Sequence, residues 1–310
     1  MQIITRHLLT LFLLGHCSIL MAVEINSDQE GGGDILSVTG EILTPIEPSD
    51  LSLANLAAAR VAFQKNPQDP DLNIWLGRRM AYTGNYHEAI KIFSDGIKKY
   101  PNDPRFYRHR GHRYISIRQF DQAIEDLTKA ATLMENLPIE IEPDGLPNSQ
   151  NIPLTTTQGN VWYHLGLAYY LKQDWPNALN AFRNGYNLGG NDDNLVSTGH
   201  WIYMILRLMG KENEADLALK DINVEMNIIE NMSYHQLCLL YKAEIKVNEM
   251  MTADGDSPSS AAVAYGLANY FYYNGDKSRS NKLLQSILAG RSWSAFGFIA
   301  AEVDLANNDR

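Results

Sequence analysis

Apolar residues recur along this chain at helical spacing, in paired blocks that are separated by short polar turns. In the first clear block, Leu76 precedes Gly77, and Met80 lies three residues after the glycine. Spacings of three and four residues place such side chains on one face of a helix. A second helix is predicted after the turn at Gly84, because a second helical series follows there: Ala89, Phe93 and Gly96.

The same pair of helices recurs along the chain. To compare the copies, we take the small or apolar residue at the helix crossing as the anchor. The second copy has Gly111 at the anchor, 34 residues after Gly77, and the third has Gly166. Two weaker copies follow, with Tyr203 and Ala268 at the anchor position. Small residues at the crossing predict that the two helix backbones of each pair approach closely.

The repeated unit resembles the tetratricopeptide repeat (TPR), a helix–turn–helix unit with a period of 34 residues. The TPR pattern W-x2-L-G-x2-Y stands in full as Trp162, Leu165, Gly166 and Tyr169. The resemblance covers residues 51–306. It implies an all-α fold, a right-handed TPR-like α-solenoid in which each repeat packs on its neighbours.

The spacing of the anchors predicts how the chain is organised. Helical pairs are expected over residues 70–101, 104–134, 159–190, 196–224, 231–252 (degenerate) and 261–289, followed by a capping helix over 293–305. Between the second and third anchors the step is 55 residues instead of 34. The additional residues form a proline-rich acidic insert over 135–157, where four prolines exclude a helix.

The N-terminal residues have the composition of an export signal. Residues 1–22 combine a basic start, a short apolar run and a cleavage edge at Ala22, as secretory signal peptides do. Cys17 stands in a weak lipobox-like context, so that cleavage at Ala22 and lipidation at Cys17 both stay open. Residues 23–50 predict a flexible N-terminal linker. We expect export to the periplasm or the cell exterior, without a transmembrane span in the mature chain.

Charge is distributed unevenly along the chain. The net charge of −10 argues against a nucleic-acid binder. Residues 71–118 nevertheless contain ten Lys and Arg against four Asp and Glu, a local balance of +6. A basic surface is therefore expected beside the acidic insert.

A second row of side chains at helical spacing, here called the stripe, lies on the first helix of each pair. It predicts the surface that binds a partner. In the TPR proteins that this chain resembles, this stripe lines a concave groove that holds peptides. Its candidate binding residues are Arg78, Arg105, Arg108, His112, Tyr163, Tyr170, His200 and Arg207. Arginine binds carboxylates through two hydrogen bonds, and tyrosine offers a broad contact at low entropic cost. The stripe therefore predicts a protein or peptide partner with acidic residues or a C-terminal carboxylate.

The TPR proteins that bind chaperone tails use a clamp of Lys, Asn and Arg. This sequence has Arg78 but carries His112, Tyr163 and Leu167 at other clamp positions, so the clamp is not intact. A different peptide partner is therefore expected.

The acidic insert beside a basic groove leads to a further hypothesis. The insert could fold over the groove and compete with the ligand, or it could be a structural strap or a flexible loop. A second function also stays open, a solenoid that binds a small molecule or glycan at a tyrosine stripe closed by the insert. That stripe consists of Tyr163, Tyr170, Tyr265 and Tyr272.

No motif in the sequence points to catalysis, since no Ser–His–Asp set, phosphate loop or Cys–His pair stands out. His109 and His112 have a spacing that can bind a metal, but no neighbouring cysteine or carboxylate completes a site by sequence. We expect a non-catalytic scaffold or adaptor that uses no cofactor and no metal. An enzyme with scattered catalytic residues is the third option.

Overall fold

The computed structural model describes residues 34–250 and 258–307, which form helices joined by turns, with a small hairpin at the start and a long insert between residues 134 and 157. The protein is an all-α, TPR-like solenoid. The α-helices of the described ranges are α1 (Asp50–Lys65), α2 (Pro70–Ala81), α3 (Tyr86–Lys99), α4 (Pro104–Ser116), α5 (Phe120–Met134), α6 (Thr157–Leu171), α7 (Trp175–Asn187), α8 (Asp192–Leu208), α9 (Glu212–Ala218), α10 (Met232–Tyr241), α11 (Pro258–Tyr273), α12 (Lys277–Leu288) and α13 (Phe296–Ala306).

The predicted signal peptide over residues 1–22, including Cys17, lies outside the described residues, as do residues 23–33 of the predicted linker. Within the described ranges, no helix combines the length and the apolar character needed to cross a membrane.

The first two helical pairs begin with the same local signal. Asp69 precedes Pro70 in α2, and Asp103 precedes Pro104 in α4. Each aspartate accepts hydrogen bonds from backbone amides of the first helical turn, and each proline occupies the first position, where no amide is needed. The two helices therefore start in register, which aligns the residues that lie 34 positions apart.

Glycine at the crossing of the paired helices has a packing role. A Cβ atom at Gly166 would lie only 2.7 Å from the ring of Phe182. The ring of Phe93 covers Gly77 in the same way in the first pair. The close approach of the paired backbones, which the anchor spacing predicts, is confirmed at these two crossings.

The degenerate pair expected over residues 231–252 is only half formed in the described part of the chain. Helix α10 ends at Tyr241, and Ala243 adopts a left-handed conformation with φ of 59°. A 3-10 turn at Val247–Glu249 stands where a second α-helix was expected. A left-handed residue stops helical hydrogen bonding, and this explains the difference.

Helix α13, where a capping helix over 293–305 is predicted, has no exposed polar face. It begins at Phe296, and every residue from Gly297 to Asp304 is buried. The helix packs against α11, α12 and α6, inside the solenoid. A helix that is apolar on nearly all faces needs a partner all round. Its Glu302 forms a buried ion pair of 2.8 Å with Arg118 in the α4–α5 turn.

Residues 34–49, within the predicted flexible linker, are ordered against the helices. They contain a small hairpin of β1 (Ile35–Leu36) and β2 (Ile42–Leu43). The Ile35 side chain is buried, and Trp293 Nε1 donates a hydrogen bond of 2.7 Å to the Thr44 carbonyl. Ile35 and the Thr44 carbonyl thus attach this segment to the helices, a contact that its glycines and prolines give no reason to expect.

Candidate functional site

The insert crosses the predicted stripe on α2 and α4 as a strap, here defined as residues 138–154. Its entry is fixed beside the start of α6, because Gln158 Nε2 donates to the Pro138 carbonyl at 2.6 Å and Thr157 N donates to the Glu140 carbonyl at 2.9 Å. An isolated β-bridge pairs Ile141 with Thr156. The strap is therefore anchored at its base and extends from there over α2 and α4.

Side chains of α2 bind the main chain at the tip of the strap. Arg78 Nη1 donates to the Pro143 carbonyl at 2.8 Å, and Arg79 Nη1 donates to the Gly145 carbonyl at 2.9 Å. Both contacts recognise backbone oxygens, which any extended peptide carries. This surface therefore has the hydrogen-bond donors that peptide recognition requires.

The carboxylate of Glu142 lies between two arginines of the predicted stripe. Arg108 Nε is 3.0 Å from Glu142 Oε2, and Arg78 Nη2 is 3.9 Å from Glu142 Oε1. All three side chains are more than nine-tenths buried. A buried carboxylate needs such partners, because it has lost its hydration. The strap therefore supplies the anion that this basic site requires.

The carboxylate is close to the arginines but poorly aligned with them. Neither Arg108 Nε nor Glu142 Oε2 makes a hydrogen bond of acceptable angle, although they are only 3.0 Å apart. Arg78 Nε is also buried without a hydrogen-bond partner. The interaction is therefore mainly electrostatic and lacks the two-pronged geometry of the strongest arginine–carboxylate pairs.

The same site carries more positive than negative charge. Burial lowers the pKa of Arg108 and the charge of Glu142 opposes this effect, while the nearby charge of Arg78 adds to it. Burial also lowers the pKa of Arg113, whose guanidinium lies 5.4 Å from the Tyr86 ring centroid. Within the described residues Arg113 makes no ion pair with a carboxylate. The site is thus incompletely neutralised by the strap.

His112 contributes to packing beneath α13. Its ring centroid lies 4.1 Å from that of His164 and 5.4 Å from that of Phe296. Burial, together with the charge of Arg113, lowers the pKa of His112 well below its ordinary value. The imidazole is therefore neutral at pH 7 and lies against aromatic neighbours.

Arg105 lies at the rim of the site, on a more exposed part of α4. It forms ion pairs with Asp71 at 2.6 Å and with Asp103 at 2.7 Å. The hydrogen bond that Arg105 donates to Asp103 is the largest cause that raises the pKa of Arg105. Arg105 is thus already paired on the surface and does not join the pair around Glu142.

Two tyrosines of the predicted stripe belong to the interior of the C-terminal half. Tyr170 and Tyr265 join their hydroxyl groups at 2.7 Å. Trp201 Nε1 donates to the Tyr163 hydroxyl at 2.9 Å. Among the four tyrosines proposed for a ligand-binding stripe, Tyr170 and Tyr265 are almost fully buried, so they do not form an open surface.

His200 and Arg207 are held by aromatic neighbours in the same half. Tyr241 makes a 3.3 Å hydrogen bond with His200 Nδ1, and burial lowers the pKa of His200 to about 3. Arg207 Nη1 donates to the Tyr203 hydroxyl at 2.9 Å, and its guanidinium lies 4.5 Å from the Tyr273 ring centroid. Of the eight predicted residues, Arg78 and Arg108 make hydrogen bonds or ion pairs with the strap, and Arg105 lines a small pocket beside Pro138 and Glu140.

Two features of this surface were missed by sequence reasoning. Glu142 is one of four acids in the insert, with Glu135, Glu140 and Asp144, and the linear pattern distinguishes it only by the proline that follows it. The second feature is a cleft of about 640 Å³ between α5, α6 and α7. Trp162 and Leu165 line it, together with Leu137 and Ile139 from the insert.

Comparison with known proteins finds distant structural likeness only. No protein-family model matches the chain, and no curated protein matches it. A TPR protein from Parabacteroides merdae is 13% identical, with 82% of this chain and 92% of that chain covered and a TM-score of 0.48. YrrB, described as a TPR protein with an unusual peptide-binding site, is 14% identical. The match covers 79% of this chain and 98% of YrrB, with a TM-score of 0.43. A thermophilic TPR protein from Thermus thermophilus is 14% identical, with coverage of 76% and 100% and a TM-score of 0.40.

Proposed function

We propose that this protein is a non-catalytic scaffold or adaptor, exported to the cell envelope, that binds a protein or peptide on the N-terminal part of its concave face. One observation carries the proposal: this face already binds an extended acidic segment, the chain's own strap. The contacts combine donors to main-chain carbonyls with a carboxylate between Arg78 and Arg108.

This combination suits peptide recognition in general. Bonds to backbone oxygens supply affinity for any extended chain, and pockets for side chains supply specificity. Here the side-chain pocket is basic, which favours an acidic residue or a C-terminal carboxylate. Export rests on the composition of residues 1–22 and is part of the proposal.

Site-specific photocrosslinking in the native envelope fraction tests this function. A photoreactive phenylalanine analogue replaces Tyr82, whose hydroxyl lies against Gly145 of the strap, in a chain whose strap is replaced by a Gly-Ser linker of equal length, so that the analogue can meet a partner and not the strap. The matched control places the analogue at Tyr186 in α7, away from the strap. We expect a discrete crosslinked partner from position 82 and none from position 186. The same partner at both positions, or no partner at position 82, would contradict the proposal.

A second candidate function is favoured by the cleft between α5, α6 and α7. Its volume of about 640 Å³ falls in the range of small-molecule sites. Leu137 and Ile139 of the insert form part of its wall, so a small ligand would bind here and not at the buried tyrosines. A thermal-shift screen tests this, with Ala131→Phe as the filled-cleft control. A ligand that stabilises the wild type but not the control would support this function; equal shifts in both would exclude the cleft.

A further inference from the structure

We propose that the strap is a built-in ligand, and that the site formed by Arg78 and Arg108 becomes available to an acidic peptide only when the strap leaves it. This inference rests on the proposed function, that the concave face binds a peptide. The partner it fits is an extended peptide that places a carboxylate where Glu142 lies now.

The strap covers the site without becoming part of the hydrophobic core. Its apolar side chains point largely to solvent: Leu146 is 71% exposed, Ile139 57% and Ile141 53%. Burial of apolar area is the main force that fixes a segment in a folded protein. A segment with few buried apolar contacts opens at low free-energy cost. The strap is therefore held chiefly by its polar contacts.

The polar contacts of the strap do not satisfy all hydrogen-bond donors of the site, so a separate peptide could bind the arginines more strongly. Glu142 approaches Arg108 without an aligned hydrogen bond, and Arg78 Nε has no hydrogen-bond partner. The anchored base of the strap limits how its carboxylate can turn, whereas a separate peptide is free to align. A peptide with two carboxylates would also offset the charge of Arg113, which the strap leaves without an ion pair in the described part of the chain.

The tether explains how a poorly aligned segment still occupies the site. A short tether gives an effective concentration on the order of 1 mM. If the strap sequence binds with an intrinsic Kd of about 10 μM, the tether weakens a competing peptide roughly 100-fold. Removal of the strap should therefore produce a large, measurable gain in affinity for a peptide added in trans.

The test uses the strap itself as the probe. A fluorescently labelled peptide with the sequence of residues 138–154 is titrated into the wild-type chain and into a chain whose strap is replaced by a Gly-Ser linker of equal length. Fluorescence anisotropy should show binding to the strap-replaced chain and binding roughly 100-fold weaker to the wild type. The control is the same peptide with Glu142→Gln, which should bind the strap-replaced chain at least about 10-fold more weakly because it lacks the charge.

A second variant keeps the test decisive if the strap-replaced chain does not fold, as judged by circular dichroism. Glu142→Gln in the full chain weakens the strap's hold, so the charged peptide should bind this variant at least about 10-fold more tightly than the wild type. Equal affinity for the wild type and a folded variant would overturn the inference, as would failure of the peptide to bind the folded strap-replaced chain. Neither result affects the crosslink expected at Tyr82, so the proposed function is judged separately.

Discussion

The two ends of the predicted helical stripe are covered in different ways. At the N-terminal end, Arg78 and Arg108 lie under the strap, whose carboxylate and main chain make the contacts. At the C-terminal end, Tyr170 and His200 lie under helices, where Tyr265 of α11 and Tyr241 of α10 complete the hydrogen bonds.

The helices over the aromatic end are a permanent part of the fold, whereas the strap over the arginine end can be displaced. A helix that covers the stripe buries large apolar side chains, and exposing them again costs free energy in proportion to their area. A strap that is held by charge and by hydrogen bonds to its backbone can exchange those bonds for bonds to water when it opens. The net free energy that keeps the strap closed is therefore smaller than the free energy that keeps a covering helix in place. We infer that the aromatic end is structural and the arginine end is functional.

The largest effect is expected from a cavity in the aromatic end. Trp201 is almost fully buried, and its ring stacks on Phe182 with centroids 5.8 Å apart. Trp201→Ala should lower the free energy of unfolding by about 3–5 kcal/mol, as measured by urea denaturation. Trp201→Phe keeps part of the packing and should cost less. If Trp201→Ala cost no more than a surface substitution, this end would not be the core that we describe.

The contact between α13 and the α4–α5 turn should contribute nearly as much to the free energy of unfolding. Glu302→Leu leaves Arg118 buried without its partner, and loss of one member of a buried pair costs about 3–5 kcal/mol. The double variant Arg118→Met/Glu302→Leu removes both charges and should recover most of that loss. The single variant Arg118→Met completes the comparison. If the double variant loses as much free energy of unfolding as the two single variants together, the two residues do not act as a pair.

Acid should destabilise the aromatic end through His200. Burial lowers its folded-state pKa from 6.5 to about 3, so between these values the unfolded chain binds more protons than the folded one. Stability is therefore present above pH 6.5 and is lost as the pH falls toward 3. From His200 alone we expect a loss of about 2 kcal/mol between pH 7 and pH 5. Denaturation midpoints across this range should show a shallower slope for His200→Phe; an unchanged slope would assign the acid effect to other groups.

The smallest effect on global stability is expected at the strap, and Asp126 supplies a matched control. Asp126 is buried and pairs with Arg110 through two contacts of 2.7 Å, within the packed pair of α4 and α5. Asp126→Asn should cost about 3 kcal/mol. Glu142→Gln should cost only about 1.4 kcal/mol, which corresponds to the roughly 10-fold weaker hold of the strap, because the strap can open and let water reach the arginines. Equal losses in urea denaturation would mean that the strap is as fixed as a helix pair.

Local spacing is enough to predict the first three helical pairs. The contact of Gly166 with Phe182 depends on residues 16 positions apart in one repeat, and a repeated pattern reveals it directly. The location of α13 could not be read in this way, because it depends on how far the whole stack curves. Its one signal was a sequence that is apolar on nearly every face.

The candidate site was predictable in its charge but not in its contacts. The basic surplus of residues 71–118 and the acids of the insert are visible in the sequence. Which acid would reach the arginines depends on hydrogen bonds between residues about 65 positions apart, such as that from Arg78 to Pro143. No local periodicity encodes such a pairing, so Glu142 could not be selected beforehand.

Native-state hydrogen exchange of the full chain tests the central claim most directly. We predict that the Glu142 amide, which donates to the Thr155 carbonyl, exchanges through local opening, at least about 100-fold faster than the amides of α6 and α8. Glu142→Gln should accelerate exchange of this amide and leave those two helices unchanged. An amide at this position that exchanges as slowly as those of α6 and α8, with or without Glu142→Gln, would show that the strap is a fixed part of the core and would contradict the account.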